Sequence, residues 1–332
     1  MEALLGKTLT ELQDVALSVG LQKFAGKQLA EWLYVKRVTS FDQMTNISLK
    51  GREALQAKYT IGRHAPIREA VSVDGTRKYL FEVGEQFIES VYIPEDDRAT
   101  LCVSTQAGCK MGCRFCMTGT LGFHGHLSAA DILNQIFYFD DLTNVVFMGE
   151  GEPMDNLDHV LRALEIVTAA YGCAWSPKRI TVSTVGIPAM KRFLEQSECH
   201  LAVSMHNPFA IERKEIMPAE KMLSITDIVS LLKQYDWSHQ RRVSFEYICW
   251  AGQNDTPRHA KELLRLLKGL PCRINLIRFH AGVDRAFPAS DEKQMEWFRD
   301  YLTDNGITTT IRKSRGEDIL AACGMLVNSL NA

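Results

Sequence analysis

The strongest constraint on the fold is a regular alternation of short apolar strands with amphipathic helices along residues 97–332. The pattern predicts six strands, at 101–105, 144–148, 180–184, 200–205, 243–248 and 273–279. It predicts helices at 128–139, 156–170, 188–196, 224–235, 257–268 and 290–305. Near-continuous apolar strands joined by helices indicate a parallel sheet that is covered on both faces. Six such units are too few to close an eight-stranded barrel, so we expect an α/β fold with a partial (βα)6, TIM-like barrel.

Two smaller units are predicted before this main domain. Residues 1–62 read as a helical unit, with a capping box predicted at Thr10 and Gln13. Lys and Arg outnumber Asp and Glu in this unit, which is consistent either with a basic binding face or with an ordinary solvated surface. In residues 63–96, the dipeptide Asp74-Gly75 lies between apolar runs and predicts a β-hairpin linker.

The composition argues against a membrane or secreted protein. No apolar run is long enough to span a bilayer, and the amino terminus has no charged lead followed by a continuous apolar core. Nine cysteines then favour metal or thiol chemistry in a reducing cytoplasm over a disulfide scaffold. The net charge is only −2, so any nucleic-acid binding must come from local basic patches.

Three cysteines, Cys109, Cys113 and Cys116, lie in a short glycine-containing loop that follows the first predicted strand. Thiolates this close in sequence can converge on one metal centre without long-range folding. Because there is no fourth cysteine nearby, an iron–sulfur cluster held here would leave one iron open to another ligand. The alternative is a zinc knuckle completed by His124 or His126, although this spacing is unusual for zinc.

Polar residues also follow other predicted strands at their carboxyl ends, where parallel α/β folds bind ligands. They lie at 149–153 after the second strand, 183–186 after the third, 204–207 after the fourth and Asn275 within the sixth. Beyond the last helix, a basic run at 312–315 suits phosphate contacts, and Cys323 is placed to reach the open face of the barrel. Cys323 and Cys102 each have the alternative interpretation of a buried apolar thiol.

Taken together, these features resemble the RlmN/Cfr family of radical S-adenosylmethionine (SAM) RNA methyltransferases over nearly the whole chain. The cysteine loop is shared by all radical SAM proteins, whereas residues 88–94, 106–109 and 314–324 are typical of this family. The resemblance implies a radical SAM barrel in which Cys109, Cys113 and Cys116 hold a 4Fe–4S cluster. It implies that SAM binds at Gly151, Glu152, Ser183, Ser204, Met205, His206 and Asn275.

The resemblance further implies methylation of carbon 2 of adenine through a pair of cysteines. Cys323 would carry the methyl group, Cys102 would be its resolving partner, and Glu89 would lie near the target adenine. Two SAM molecules are implied per turnover: one methylates Cys323, and the other yields a 5′-deoxyadenosyl radical that removes hydrogen from this methyl group. Cys102 would then take the ring proton, and a disulfide with Cys323 would release the product.

The implied substrates are an adenine in 23S rRNA and an adenine beside the tRNA anticodon, and the helical unit at 1–62 is implied to bind RNA. An external electron donor such as a flavodoxin is also implied, and we expect a monomer because the site must accept large RNA. A Cfr-like enzyme that methylates carbon 8 is a rival within the family, although residues 314–319 resemble the carbon-2 group. The sequence also leaves open an iron–sulfur RNA-binding protein without radical chemistry and a zinc-containing ribosome-assembly factor.

One residue departs from the family pattern. The family usually has Met-Gly-Met-Gly-Glu-Pro where this chain has Met-Gly-Glu-Gly-Glu-Pro, so that Glu150 adds a negative charge beside the expected SAM site. If Glu150 points into the site, the SAM affinity is in question; the alternative is that its carboxylate turns to solvent.

Overall fold

The computed structural model describes residues 1–238, 242–280 and 287–327. Its amino-terminal helical unit is closed by a two-stranded parallel sheet. The strands are β1 (Glu2–Ala3) and β2 (Tyr59–Thr60), and the helices are α1 (Leu9–Ser18), α2 (Ala25–Ala30), which continues into a π-helical turn at Glu31–Val35, and α3 (Leu49–Lys58).

The first helix begins two residues before the predicted capping box. Thr8 accepts a hydrogen bond from the Glu11 amide, and the Glu11 carboxylate accepts one from the Thr8 amide at 2.7 Å. Two overlapping segments of the sequence, Thr8 to Glu11 and Thr10 to Gln13, fit the capping-box motif, and the helix uses the first of them. The prediction of Thr10 and Gln13 was therefore wrong. A tertiary contact stabilises the earlier window, because Glu11 also pairs with Arg162 of the main domain at 2.7 Å.

The predicted hairpin consists of β3 (Arg68–Val71) and β4 (Arg77–Val83), which are antiparallel and joined through Gly75 at φ 85°. The next strand, β5 (Gln86–Pro94), pairs antiparallel with both β4 and β6 (Ala99–Cys102). Because β6 is the first strand of the barrel, the hairpin is continuous with the barrel sheet.

The main sheet contains ten strands, of which seven form the parallel barrel part. After β6 come a small separate hairpin of β7 (Gln106–Gly108) and β8 (Phe123–His126), then the parallel strands β9 (Asn144–Phe147), β10 (Ile180–Thr184), β11 (His200–Ser204), β12 (Val243–Cys249), β13 (Cys272–Arg278) and β14 (Thr309–Ile311). The order β14-β13-β12-β11-β10-β9-β6-β5-β4-β3 leaves the described sheet open, as predicted for a partial barrel. The sequence pattern missed β14 because three residues are too few to show a strand period.

Helices connect these strands and cover the outside of the sheet. They are α4 (Met117–Thr120), α5 (Ala129–Phe137), α6 (Leu157–Thr168), α7 (Met190–Gln196), α8 (Ala210–Ile216), α9 (Ile225–Gln234), α10 (Pro257–Leu267) and α11 (Glu292–Asp304). Side chains such as Leu101, Val182 and Phe245 are fully buried in the sheet. Among the described residues, no helix combines the length and apolar character needed to cross a bilayer.

Two arginines dock the helical unit onto the barrel. Arg37 donates to the carbonyl of Phe139 at 2.7 Å, and Arg63 donates to that of Phe137 at 2.6 Å. Arg37 has a left-handed backbone, with φ 53°. Arg37 therefore holds the two units together, and any basic face of the helical unit must come from its other cations.

Candidate active site

The cysteine loop is built on the β7–β8 hairpin. Gly108 ends β7 at φ 69°, and a Cβ atom there would collide with the carbonyl oxygen of Gly122. This close approach lets the Cys109 amide donate to that oxygen at 2.8 Å. Gly112 is also left-handed, at φ 63°, so glycine is favoured at both bends of the loop.

The three cysteine side chains of the loop line one cavity of about 140 Å³, which we call the cluster cavity. Burial and then mutual repulsion raise the pKa of the Cys113 thiol well above its usual value. Burial is also the largest cause of the raised pKa of Cys109, at about 12, and of the raised pKa of Cys116. Three desolvated thiols around a single cavity need a strongly cationic centre to become thiolates, which fits an iron–sulfur cluster.

The histidines of the zinc alternative have other partners. His124 Nε2 lies 3.0 Å from the carbonyl oxygen of Leu121, and His126 Nδ1 lies 3.1 Å from the side-chain amide nitrogen of Gln106. The arrangement therefore favours a cluster over a zinc knuckle.

Five of the seven expected SAM residues line the cluster cavity: Gly151, Glu152, Ser183, Ser204 and His206. Met205 and Asn275 do not. Met205 is fully buried in the core, and Asn275 donates to the Glu246 carboxylate at 2.7 Å and accepts from Thr310 at 2.9 Å. Glu246 itself lines the cavity, although it was not predicted from the sequence. Its signal was a single carboxylate within the mostly apolar strand β12.

The Glu152 carboxylate is fixed by backbone amides. It accepts hydrogen bonds from Met154 at 3.0 Å and from Val185 at 2.9 Å. Burial raises its pKa to about 7, because desolvation outweighs these bonds and that from Thr184. A buried carboxylate of this kind gains from a cation, such as an ammonium group, that enters the cavity beside it.

His206 presents a defined tautomer to the cavity. Its Nδ1 accepts a hydrogen bond from the Ile248 amide at 3.0 Å, and its ring packs edge-on against Phe115 with centroids 4.7 Å apart. Burial, and then the charge of Arg213, lower the pKa of His206 to about 3. The ring is therefore neutral, and its one proton lies on Nε2 because Nδ1 is an acceptor.

Arg213 on α8 is a fully buried cation that was not predicted from the sequence. Its guanidinium pairs with Glu220 and donates to the carbonyls of Val185 at 2.6 Å and Ser204 at 2.8 Å. It also donates to the carbonyl of Met205 at 3.0 Å. Arg213 thus fixes the carboxyl ends of β10 and β11, where Ser183, Ser204 and His206 line the cavity.

Replacing Arg213 with Met is expected to lower the free energy of unfolding by about 3–5 kcal/mol, because Glu220 would remain as an unpaired buried charge. Urea denaturation monitored by circular dichroism measures this change. The double variant R213M/E220Q should recover part of the loss. As a control, Arg192→Ala removes an exposed ion pair with Asp158 and should change stability by less than about 1 kcal/mol. If Arg213→Met is as stable as Arg192→Ala, the ion pair between Arg213 and Glu220 does not stabilise the fold as assigned.

Glu150 takes neither of the two orientations considered from the sequence. It is 1% exposed, and its carboxylate accepts hydrogen bonds from the amides of Glu89 at 2.7 Å and Gly108 at 3.4 Å. It therefore faces neither solvent nor the cluster cavity, which its side chain does not line. The carboxylate instead joins β5 to the start of the cysteine loop.

Replacing Glu150 with Met, the usual family residue at this place, should destabilise this chain. The substitution leaves the amides of Glu89 and Gly108 without their acceptor, at a cost of about 1–3 kcal/mol. Glu150→Gln retains an acceptor oxygen and should cost less. Chemical denaturation of the two variants in parallel measures the difference. If the Met variant equals the wild type in stability, the hydrogen bonds to Glu150 contribute nothing net.

Cys323 lies where two cavities meet. It lines the cluster cavity and also an adjoining one of about 150 Å³, which Cys102 lines and which we call the cysteine-pair cavity. The tail that carries Cys323 is held against the cluster loop, because Met117 donates to the carbonyl of Gly324 at 2.8 Å and Thr118 donates to that of Leu326 at 3.0 Å. Cys323 is exposed, so the interpretation of a buried apolar thiol was wrong for this residue.

Arg312 places a positive charge beside both cysteines. It contacts Glu246 at 3.4 Å and lines the cysteine-pair cavity, whose rim also carries Lys313 and Arg315 of the basic run. Burial raises the pKa of Cys102 to about 12, with a further contribution from Cys323. Desolvation by the surrounding protein also raises the pKa of Cys323, whereas Arg312 lowers the pKa of both thiols.

Glu89 does not line either cavity in this structure. It is buried and pairs with Lys78 at 2.9 Å, and it accepts a hydrogen bond from the Val327 amide at 2.9 Å. Lys78 in turn lies 3.5 Å from the carbonyl oxygen of Leu320. The carboxyl-terminal tail therefore covers Glu89, which the family resemblance implies to lie near the target adenine.

Comparisons with known proteins agree with this arrangement. Residues 3–61 match the family described as the ribosomal RNA large subunit methyltransferase N-terminal domain, and residues 103–267 match the radical SAM superfamily. A crystal structure of a radical SAM methyltransferase from Sphaerobacter thermophilus superposes with a TM-score of 0.93 and 34% identity, covering 99% of this chain and 100% of that chain.

Two relatives extend the similarity along the sequence. The chain is 60% identical over 328 residues to the probable dual-specificity RNA methyltransferase RlmN of Bacteroides thetaiotaomicron, covering 97% of this chain and 95% of that protein. It is 39% identical over 332 residues to the dual-specificity RNA methyltransferase RlmN of Geobacter sulfurreducens, covering 98% of this chain and 92% of that protein. The chain therefore belongs to the RlmN family of radical SAM RNA methyltransferases.

Proposed function

We propose that this enzyme methylates carbon 2 of an adenine in 23S rRNA and of an adenine beside the tRNA anticodon, and that Cys323 carries the methyl group. The observation that supports this most is the position of Cys323, which lines the cluster cavity and the cysteine-pair cavity together. A carrier must receive a group in one place and deliver it in another. Cys323 is the described cysteine outside the cluster loop that lines both cavities.

As a radical SAM enzyme, the chain uses a 4Fe–4S cluster and SAM. Cys109, Cys113 and Cys116 would hold the cluster, and Gly151, Glu152, Ser183, Ser204 and His206 would bind SAM. When bound, these groups supply an electrophilic methyl group and a 5′-deoxyadenosyl radical. Glu152 would accept a hydrogen bond from the ammonium group of SAM. The neutral His206 would donate a hydrogen bond to SAM from its Nε2. Met205 would support this wall from the core, and Asn275 would act by positioning Glu246.

Carbon 2 of adenine is electron-poor, so it accepts a carbon radical more readily than an electrophilic methyl group. Cys323 would first become a methyl thioether, losing its proton. The 5′-deoxyadenosyl radical would take one hydrogen atom from this methyl group and become 5′-deoxyadenosine. The methylene carbon left on the Cys323 sulfur would then carry the radical and bond to carbon 2. The ring proton would pass to the Cys102 thiolate and one electron to the bound 4Fe–4S cluster as the one-electron acceptor, so that the adduct between Cys323 and the base becomes closed-shell.

Cys102 would release the product. Its thiolate attacks the Cys323 sulfur, forming a disulfide while the bond from sulfur to the methylene carbon breaks. That carbon takes a proton and becomes the methyl group of the adenine. An external dithiol must then reduce the disulfide. In the resting structure the raised pKa of Cys102 keeps it a thiol, so it must lose its proton before it can accept the ring proton or attack Cys323.

Glu89 would contact the adenine only after the tail moves. Its carboxylate is bonded to Val327, so entry of a base beside Glu89 requires this amide to leave. Both target adenines lie in loop RNA, where unpaired bases can be extruded into a protein site. The cations on the rim of the cysteine-pair cavity, Lys313 and Arg315, are placed to bind the neighbouring phosphates.

The remaining assignments follow from the same proposal. Residues 1–62 would bind RNA as an accessory domain, residues 63–96 would link it to the barrel, and residues 97–332, whose last five lie outside the described ranges, would hold the chemistry. We infer a cytoplasmic monomer, because one chain supplies every residue named above. A flavodoxin would suit the electron donor, since the radical SAM reaction consumes single electrons.

Anaerobic reconstitution tests the proposal. The protein would be loaded with iron and sulfide, then incubated with SAM, dithionite and transcripts of 23S rRNA or tRNA, and the nucleosides would be analysed by mass spectrometry. We expect 2-methyladenosine together with 5′-deoxyadenosine. Formation of 8-methyladenosine would instead identify a Cfr-like enzyme. Absence of both methylated adenosine and 5′-deoxyadenosine would indicate an iron–sulfur RNA-binding protein without radical chemistry.

A further inference from the structure

A third cavity, the basal cavity, lies inside the barrel at the end opposite the cysteine loop. It measures about 300 Å³ and is lined by residues at or near the amino-terminal ends of the parallel strands, such as Thr100 on β6, Asn144 on β9 and His200 on β11. Ligands of this fold family bind at the carboxyl ends of the strands. The basal cavity therefore lies outside the cluster cavity and the cysteine-pair cavity, although it shares Arg312 with the latter.

The basal cavity is strongly basic. Its lining contains five cations, Arg98, Lys178, Arg242, Arg273 and Arg312, and a single carboxylate, Glu198. Carboxylates outside the lining offset two of the cations, because Arg98 pairs with Glu95 and Arg312 pairs with Glu246. Lys178 and Arg242 together face the single lining carboxylate, Glu198, so these groups alone leave an excess of positive charge in the cavity.

Two of these cations have no ion-pair partner among the described residues: Lys178 and Arg242. Arg242 instead lies close enough to His200 to lower the pKa of that imidazole, after burial and Arg273, to about 4. His200 is therefore neutral and does not add to the repulsion. Cations gathered in one cavity repel each other, and an anion between them would remove that cost.

Arg273 is held in a fixed orientation. Its Nε donates to the Ser244 hydroxyl at 2.8 Å, and the same hydroxyl is hydrogen-bonded to His200 Nε2 at 2.7 Å. Ser244 is buried, with 1% of its surface exposed. A guanidinium fixed in this way has lost its conformational freedom before a ligand arrives, which favours binding of an anion.

We propose that the basal cavity is a binding site for a phosphate group, formed by Lys178, Arg242 and Arg273. Arginine forks match the oxygens of a phosphate in a bidentate geometry, and lysine adds a point charge. The phosphate comes either from a small free anion or from the RNA backbone, and the same three side chains would bind both. Arg312 lines both this cavity and the cysteine-pair cavity. An anion bound in the basal cavity therefore competes with Glu246 for an ion pair with Arg312.

Isothermal titration of the cluster-loaded enzyme with inorganic phosphate and with pyrophosphate tests the site, at an ionic strength kept constant with NaCl. We expect saturable binding of at least one of the two with a stoichiometry of one. Arg242→Gln and Lys178→Gln should each weaken it about tenfold, the effect of losing one charged hydrogen bond. Arg242→Lys, which keeps the charge, should weaken it less. Lys191→Gln, an exposed lysine on α7, is the matched control and should bind as the wild type does.

Two results would overturn the proposal: no saturable binding of either anion, or equal binding by the wild type and the Arg242→Gln variant. A competition experiment identifies the source. If phosphate displaces a tRNA transcript and Arg242→Gln weakens tRNA binding, the site holds an RNA phosphate. If phosphate and tRNA bind together, the site holds a free anion. Neither result depends on methylation, so the proposed function can fail without affecting this site.

Discussion

Replacing Cys323 with Ala is expected to reduce RNA methylation by about a thousandfold or more, because the substitution removes the sulfur that carries the methyl group. The exposed position of Cys323 means that its loss should cost little stability. The cluster cysteines are untouched, so iron content and reductive cleavage of SAM should persist at least in part. Mass spectrometry of RNA and of 5′-deoxyadenosine, in the same anaerobic reaction, measures both quantities.

Cys272→Ala is the matched control for this prediction. Cys272 begins β13 at the amino-terminal end of the barrel and lines neither the cluster cavity nor the cysteine-pair cavity. The Cys272→Ala variant should methylate RNA as the wild type does. Methylation at the wild-type rate by Cys323→Ala would contradict a covalent carrier, and loss of iron from that variant would show that the tail also supports the cluster.

Most of the barrel could be predicted from the sequence because buried parallel strands consist of nearly continuous apolar runs. Strands such as Ile180–Thr184 and His200–Ser204 lie where the pattern placed them, since their apolar side chains, for example Val182 and Leu201, are fully buried. The pattern could not show that β5 pairs with β6, because strand pairing depends on contacts between segments rather than on local periodicity. The hairpin was therefore expected as a separate linker, whereas its strands extend the barrel sheet.

The site was predictable where chemistry demands a particular residue at a fixed spacing. The three cysteines and the polar residues after β9, β10 and β11 are examples, since a short loop or a strand end brings them together. Side chains that act through long-range contacts were not predictable. Arg213 reaches the strand ends from α8, and Glu150 turns to the backbone of β5. Glu150 binds backbone amides, and Arg213 binds three backbone carbonyls besides the Glu220 carboxylate, and backbone partners cannot be identified from residue types.

Replacing Cys102 with Ala is expected to trap the enzyme on its RNA. Without the second sulfur, the adduct between Cys323 and the adenine has no thiolate to break its carbon–sulfur bond, so the protein stays covalently attached and multiple turnover stops. Denaturing gel electrophoresis with labelled RNA measures the adduct, which nuclease digestion should reduce to a modified Cys323 peptide. Cys272→Ala again serves as the control and should retain no RNA.

The pKa of Cys102 adds a second test of the same step. Because burial raises this pKa to about 12, the thiolate fraction of the wild type grows about tenfold for each pH unit between 7 and 9. Adduct release should accelerate with pH over this range, whereas formation of 5′-deoxyadenosine should not follow the same slope. Single-turnover reactions sampled at several pH values separate the two rates. A Cys102→Ala protein free of bound RNA, or wild-type release that slows as pH rises, would assign the release of the adduct to another group.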